Sequence, residues 1–172
     1  MNNSTLDIIK TILDKQLNMP TGRVFAYNGT QDLPKDKDLF IVLSYGERMP
    51  YSCQNRYKNT NQGLVEILTQ NFTEEVIISL CSVSTQARDR AVEVAPALSR
   101  SSYSQYIQEK NKIHISNIQP VRDMSFLEET TRLNRFDIYC TVYRAYETQT
   151  LIDYYDKFPI TSELEADFHI ER

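Results

Sequence analysis

One segment in the C-terminal third of the chain constrains the fold more than any other. From residue 135 to residue 143, apolar side chains alternate with polar or aromatic ones without a break. The apolar set is Phe136, Ile138, Cys140 and Val142, and the other set is Arg135, Asp137, Tyr139, Thr141 and Tyr143. Successive side chains of a strand point to opposite faces of its sheet. The segment therefore predicts an antiparallel strand with one face in a core and a polar, aromatic face directed outward.

The rest of the chain divides into helical and extended blocks. Ser4 is the predicted cap of a helix over residues 5–17. A second helix is predicted from Thr85 with a bend at Pro96, and a capping box of Ser102 and Gln105 predicts a third through Lys110. Strands are predicted at 24–27, at 39–45 with a bulge at Gly46, at 64–69, at 76–83 and at 113–121 with a bulge between Ile115 and Ile118. This order predicts an α+β domain with helices packed on a largely antiparallel sheet.

Two connections complete this prediction. Residues 51–61 show no clear period and are expected to be irregular. The short polar connection 70–73 is expected to join the strands at 64–69 and 76–83 into an antiparallel hairpin.

The 172 residues are enough for one core, and 41% of them are hydrophobic. We expect a single domain over residues 1–150 and an acidic C-terminal extension over 151–172. After residue 146 the acidic residues are Glu147, Asp153, Asp156, Glu163, Glu165, Asp167 and Glu171, against the basic Lys157 and Arg172. This extension is either a solvated terminus or a docking segment.

Membrane insertion and secretion are not indicated. The longest apolar run, residues 39–43, is far shorter than the roughly 20 residues that cross a bilayer. The N-terminus lacks the basic flank and apolar stretch of a signal peptide, so the mature protein is expected to begin where the sequence does.

The residues available for chemistry are few. Cys53, Cys81 and Cys140 are an odd set without metal-ligand spacing and are expected to be reduced thiols, with Cys81 and Cys140 buried in strands. His114 and His169 are far apart in the sequence, and a Cys81–His114 pair would require an accident of the fold. The common nucleotide-binding and hydrolase motifs do not occur in the sequence. We therefore expect no enzyme, no cofactor, no metal and no catalytic residue.

A resemblance to a known family rests on two segments. Residues 121–127 read Val-Arg-Asp-Met-Ser-Phe-Leu and are followed by Arg135, Asp137 and Tyr143 in the alternating strand. Upstream, a strand ending at Val83 leads into the Ala/Arg-rich helix segment 87–91. Over roughly residues 39–147 the chain resembles the neck and tail terminator proteins of bacteriophages.

The resemblance implies a structural virion protein made in the cytoplasm of the host bacterium. It implies a homo-oligomeric ring of about six copies at the head-proximal end of the tail. The ring would end the tail tube, join the neck or connector protein, and contact the sheath where one exists. Genomic DNA would pass through it without sequence-specific binding.

Such a ring needs exposed aromatic and arginine side chains at the contacts between its subunits. The expected interface residues are Arg122, Arg132, Arg135, Tyr139, Tyr143, Arg144 and Tyr146. An ion pair between Arg135 and Asp137 and ordinary pairing of the tyrosines across the sheet are the simpler interpretations of part of this set.

Three alternatives stay open at this point. The chain could be another head-tail adaptor or head-closure ring, or a monomeric soluble binding module. In addition, Arg48, Arg56 and Lys58 alternate with Tyr45, Tyr51 and Tyr57, a combination that can bind single-stranded nucleic acid. A loop or a contact with the tail tube explains the same residues.

Overall fold

The computed structural model describes residues 4–27, 34, 36–128 and 131–152, without the side chains of 126–132. Its helices are Thr5–Gln16 (α1), Gln86–Ser99 (α2) and Ser102–Asn111 (α3). Its strands are Val24–Ala26 (β1), Phe40–Thr60 (β2), Gly63–Ser82 (β3), Ile113–Ser116 (β4), Arg122–Asp123 (β5), Phe126–Glu128 (β6) and Thr131–Ile152 (β7). The acidic extension lies outside the described residues, except for its first two.

The sheet follows the order β1-β2-β3-β7-β4, and β5 and β6 also pair with β7. Only the short β1 runs parallel to its neighbour β2, and every other pairing is antiparallel. The helices α1 and α2 pack together and contact the sheet, with α3 beside β4. The predicted α+β class with a largely antiparallel sheet and flanking helices is confirmed.

The core lies between the helices and one end of the three long strands. In α1, Ile9, Ile12 and Leu13 are fully buried, and they meet Ile78 of β3 and Ile138 of β7 in one cluster. The Oγ of Ser4 accepts from the backbone N–H of Asp7 at 3.2 Å, as predicted, and α1 ends one residue before the expected boundary. The alternation in β7 is confirmed on its apolar side, because Ile138, Cys140 and Val142 are buried.

The helical pair differs from the prediction in detail. The helix α2 begins at Gln86, contains Pro96 and continues to Ser99, and the bend at Pro96 stays a prediction. The cap of α3 is Ser101 and not Ser102, since the Oγ of Ser101 accepts from the backbone N–H of Ser104 at 3.3 Å. A serine one position earlier can make the same bond, and only the local backbone decides between them.

Three predictions about the strands are wrong. Residues 51–61 are mostly strand, and β3 runs unbroken through 70–73, so the hairpin turn lies between Thr60 and Gly63 instead. Strand β4 ends at Ser116, because Asn117 has a φ of 47° and turns the chain away. Residues 51–61 and 70–73 are held extended by hydrogen bonds to neighbouring strands, which a pattern of hydrophobicity does not report.

Candidate subunit interface

The three long strands extend well beyond the helices as a three-stranded ribbon, here called the arm. The arm comprises residues 47–60 of β2, 63–73 of β3 and 143–152 of β7. At about 3.3 Å per residue, its β3 part measures about 35 Å, and the extra residues of β2 are taken up by bulges. Almost every side chain of its β2 and β7 parts is exposed. The sheet therefore continues where no described helix covers it.

The arm carries much of the exposed apolar surface. Of the thirteen large hydrophobic side chains exposed in the described residues, seven belong to it. They are Met49, Tyr51, Tyr57, Leu68, Tyr143, Tyr146 and Leu151. Exposed patches of this kind usually mark a surface that another molecule covers.

A buried carboxylate fixes the base of the arm. Glu74 is 2% exposed and lies where β3 leaves the core. The Nε of Arg48 donates to Glu74 Oε1 at 2.8 Å, and the hydroxyl of Thr5 in α1 also donates to this carboxylate. The Nη1 of Arg144 in turn donates to Thr5 Oγ1 at 3.0 Å. Residues of α1, β2, β3 and β7 thus meet at one point, which sets the direction of the arm.

The guanidinium of Arg48 has a second contact. Its central carbon lies 5.1 Å from the centre of the Phe72 ring, a cation–π arrangement. Phe72 pairs with Pro50 on β2 and with Arg144 on β7. A shallow groove lies on the helix-side face of the arm, the face that continues the core side of the sheet. It is lined by Arg48, Pro50, Gln70, Phe72 and Tyr146.

The opposite face of the sheet, here called the outer face, holds a polar and aromatic row along β7. Arg135 donates from Nε to Asp137 Oδ1 at 2.8 Å, and this hydrogen bond raises the pKa of Arg135. The guanidinium of Arg122 lies 4.8 Å from the ring centre of Tyr139. Tyr143 meets the ring of Tyr51 edge-on, with the two centres 6.1 Å apart. The ion pair offered as the simpler interpretation of Arg135 and Asp137 is present, but it is not an exposed pair, because Asp137 is only 1% exposed.

The predicted interface residues do not form a single patch. Arg122, Arg135, Tyr139 and Tyr143 lie along the outer face. Arg144 lies on the other face and contacts Thr5, while Tyr146 is 58% exposed on that same face of the arm. The side chain of Arg132 is outside the described residues.

Sequence reasoning missed the residues at the base of the arm. Glu74 stands in a polar stretch, and Arg48 was considered only as part of a basic and aromatic segment. No local pattern identifies Glu74 as buried, because its partners Thr5 and Arg48 are distant in sequence. The nearest signal was Gly46, whose predicted bulge is confirmed by the register shift between Tyr45 and Arg48.

The thiols and the described histidine are separated. Cys81 pairs with Arg135 and His114 pairs with Tyr143, so about 26 Å of strand lies between them. Burial raises the pKa of Cys81 to about 11 and that of Cys140 to about 12. Within the described residues, no three His, Cys, Asp or Glu side chains are grouped as metal ligands would be. Each helix of this part of the chain is too short or too polar to cross a bilayer.

Comparison with known proteins identifies the class. A family model described as phage neck terminator protein matches residues 4–167 of the chain. The chain therefore belongs to the phage neck terminator family, a family of structural proteins of the phage virion. The resemblance drawn from residues 39–147 is confirmed and extends over nearly the whole chain.

Solved structures give weaker likenesses. A chain from the virion of a native gene transfer agent particle matches with a TM-score of 0.38 and 12% identity, over 81% of this chain and 93% of that one. The core region of PilO from the type IV pilus system of Pseudomonas aeruginosa matches with a TM-score of 0.22 and 12% identity, over 60% and 79%. No curated protein matches the chain significantly.

Proposed function

We propose that this protein forms a ring of six copies at the head-proximal end of a phage tail, where it ends the tail tube and joins it to the neck or connector protein. In this role it is a subunit and not an enzyme. Its partners are further copies of itself, the tail tube protein, the connector or head-completion protein and, in tails that have one, the sheath protein.

The arm is the observation that carries this proposal. Small sheets without a covering layer are marginally stable in water. The arm nevertheless extends about 35 Å, and it exposes Tyr57, Leu68 and Tyr146 on its helix-side face. A neighbouring subunit that covers this face would remove those side chains from water. In a closed ring such a contact is heterologous, because the arm of one copy meets a different surface of the next.

The size of the arm is adequate for such a contact. With three strands about 4.8 Å apart and a paired length of about 35 Å, each face of the ribbon covers about 500 Å². A stable interface takes about 800 Å² from each partner. One face of the arm with part of the outer face, including Arg122 and Tyr139, reaches that area.

The overall charge suits a ring through which DNA passes. Each copy has a net charge of −4, so six copies carry −24, by multiplication. A channel with excess negative charge does not hold phosphate groups and lets DNA slide. The proposal places the protein in the virion neck after synthesis in the bacterial cytoplasm.

Paired tyrosine variants test the role of the arm. Tyr57→Ser with Tyr146→Ser removes two exposed aromatic rings from it, and the matched control Tyr106→Ser removes a ring of α3 that is 59% exposed. We expect native mass spectrometry to find rings for the wild type and the control but subunits for the double variant, with equal melting temperatures. Rings of undiminished stability in the double variant would refute the role of the arm.

A location experiment tests the proposed position of the protein in the virion. In virions labelled with an antibody against this chain, electron microscopy should show label at the junction of head and tail. Label elsewhere on the tail, or none on the virion, would overturn the proposed position. Tails of abnormal length in a phage that lacks the protein would separate a terminator from a head-closure ring.

A further inference from the structure

The arm has two open edges. On one side, β1 pairs with β2 only as far as Leu43, and no described strand continues beside β2. On the other side, β4 pairs with β7 only as far as Arg144, and no described strand lies beside residues 145–152. Open edges pair with other strands unless they are blocked. Pro50 blocks one position of β2, but neither 52–60 nor 145–152 contains a proline.

The two edges carry opposite charges. Residues 49–61 of β2 and its turn contain Arg56 and Lys58 and no acidic residue. Residues 145–152 of β7 contain Glu147 and no basic residue. All three charged side chains are exposed, and the pairing of both strands with β3 places them on the outer face. One edge of the arm therefore complements the other edge of a second copy.

We propose that the β2 edge of one copy pairs with the β7 edge of the next, residues 56–60 with residues 145–149, so that the arms of the ring close into one continuous β-barrel. The inference rests on the ring of the proposed function and specifies how its subunits join. Strands β2 and β7 both run from base to tip, because each is antiparallel to β3. Arms that point the same way therefore meet as parallel strands, and this head-to-tail contact can close a ring.

The dimensions of such a barrel suit the channel. Three strands from each of six copies make 18 strands by multiplication. The strands of closed barrels tilt by about 35–45°, which requires a shift of register around the barrel. A shift of four residues per copy gives a tilt of about 43° and a backbone diameter of about 37 Å. With about 5 Å of side chain on each wall, the lumen is about 27 Å wide and admits a DNA duplex.

The same shift pairs the charges. Within one copy Glu147 and Gln54 lie at the same level, since both are paired with Thr69 of β3. A shift of four residues toward the tip places Glu147 opposite Lys58 of the next copy. A shift of four toward the base would place it opposite Met49 instead. The charges therefore favour the shift toward the tip.

The exposed tyrosines of the helix-side face agree with this register. Tyr146 lies level with Cys53 of its own copy through Gln70. Four residues further toward the tip is Tyr57 of the next copy. The two rings are 58% and 61% exposed in the single chain. Edge pairing brings them together at the boundary between copies and removes part of each from water.

Disulfide trapping tests the register. In a chain with Cys53→Ser, which removes the exposed thiol, Thr148→Cys and Asn59→Cys place thiols opposite each other across the boundary. Within one copy these positions are about 16 Å apart, too far for a disulfide. With diamide we expect covalent rings of six copies on non-reducing gels. The matched control, Thr148→Cys with Lys58→Cys, has one thiol on the opposite face and should link at least about tenfold more slowly.

A charge exchange tests the same contact without added thiols. Lys58→Glu should raise the protein concentration at which rings dissociate by at least about tenfold, and the further change Glu147→Lys should restore the wild-type value. Lys110→Glu makes the same change of charge at an exposed position of α3 and should leave ring stability unaltered.

The outcomes separate the edge pairing from the ring itself. Cross-links between copies that favour Asn59→Cys over Lys58→Cys support the inference. Rings in native mass spectrometry that show no cross-link, or equal rates in both variants, would overturn the edge pairing and leave the proposed ring standing. A wild-type protein that forms no ring, alone or on the tail, would overturn both.

Discussion

Arg48 and Glu74 join the arm to the domain through a hydrogen bond of 2.8 Å between Nε and Oε1, although the arginine is 63% exposed and the glutamate 2%. The exposed partner neutralises a carboxylate that the core has almost removed from water. Loss of the Arg48 side chain should therefore destabilise the fold more than the exposure of the arginine alone would indicate. The reason is that the charge of Glu74 stays buried without its cationic partner.

We predict that Arg48→Ala lowers the free energy of unfolding by about 2 kcal/mol, less than a fully buried pair would lose because the arginine is partly screened by solvent. Urea denaturation followed by circular dichroism measures this. The control Arg56→Ala, an exposed residue of the same strand, should change stability by at most about 0.5 kcal/mol. Equal losses in the two variants would mean that the Arg48–Glu74 pair does not anchor the arm.

Gly46 is predicted to tolerate a side chain poorly. It stands at the bulge of β2, where an added Cβ would displace the carboxylate of Glu75 on the neighbouring strand and would lie 3.1 Å from the Cβ and Cγ of that residue. Gly46→Ala should destabilise the protein by about 1–3 kcal/mol, as overpacking does. The double variant Gly46→Ala with Glu75→Ala removes the colliding group and should recover most of that loss in thermal unfolding. If the second change brings no recovery, the cause is the backbone and not the contact.

The sequence predicted the parts of the fold in which one face is apolar and the other polar. The helix α1 and the core half of β7 have such faces, and both were found within a few residues. The arm has two exposed faces, so residues 51–61 show no period and were expected to be irregular. Its strands are specified by pairing with distant residues, as between Tyr57 and Glu66 or Gln70 and Tyr146.

Only part of the candidate interface could be predicted from the sequence. Tyrosine and arginine in an alternating strand indicated a contact surface along β7. The anchor at Glu74 was not predictable, because its burial depends on three elements that meet only in the folded chain. The same holds for Asp137, which an alternating pattern places on the polar face and which is buried in the structure, where it pairs with Ser79 of β3 and accepts from Arg135.

Asp137 and Arg135 give a third prediction. Arg135→Ala leaves a carboxylate that is 1% exposed without its main partner and should cost about 2 kcal/mol, allowing for the partial exposure of the arginine. Arg122→Ala removes a cation–π contact with Tyr139 and an exposed hydrogen bond to Gln119 Oε1, and should cost about 0.5–1 kcal/mol because no buried charge is left behind. Chemical denaturation of both variants measures the difference. A larger loss in Arg122→Ala would contradict the assignment of Arg135 as the structural arginine of this row.

The Arg135–Asp137 pair also affects how variants that test ring assembly are interpreted. A variant that combines Arg135→Ala with Tyr143→Ala reports on folding as well as on contacts between subunits, because Arg135 supports a buried charge. Tyr143→Ala alone is the cleaner probe, since its ring is 40% exposed and contacts Tyr51 and His114 at the surface.

The three thiols should differ sharply in reactivity. Burial raises the pKa of Cys81 to about 11 and that of Cys140 to about 12, and the thiolate is the reactive form. At pH 8 a disulfide reagent should therefore modify Cys53 rapidly and the other two only after unfolding in urea. Cys53→Ser should abolish the rapid phase, and a rapid phase that persists in this variant would show that a buried thiol is accessible.

The raised pKa values also set the sign of a pH dependence. The folded state holds both thiol protons more tightly than the unfolded state does, so the stabilisation is complete below about pH 8.5, the ordinary thiol pKa. It is lost as the pH rises from there through about 11 and 12, the folded values of Cys81 and Cys140. Urea midpoints should fall between pH 9 and pH 11, and the fall should be smaller in Cys140→Ala. An equal fall in that variant would place the titrating group elsewhere.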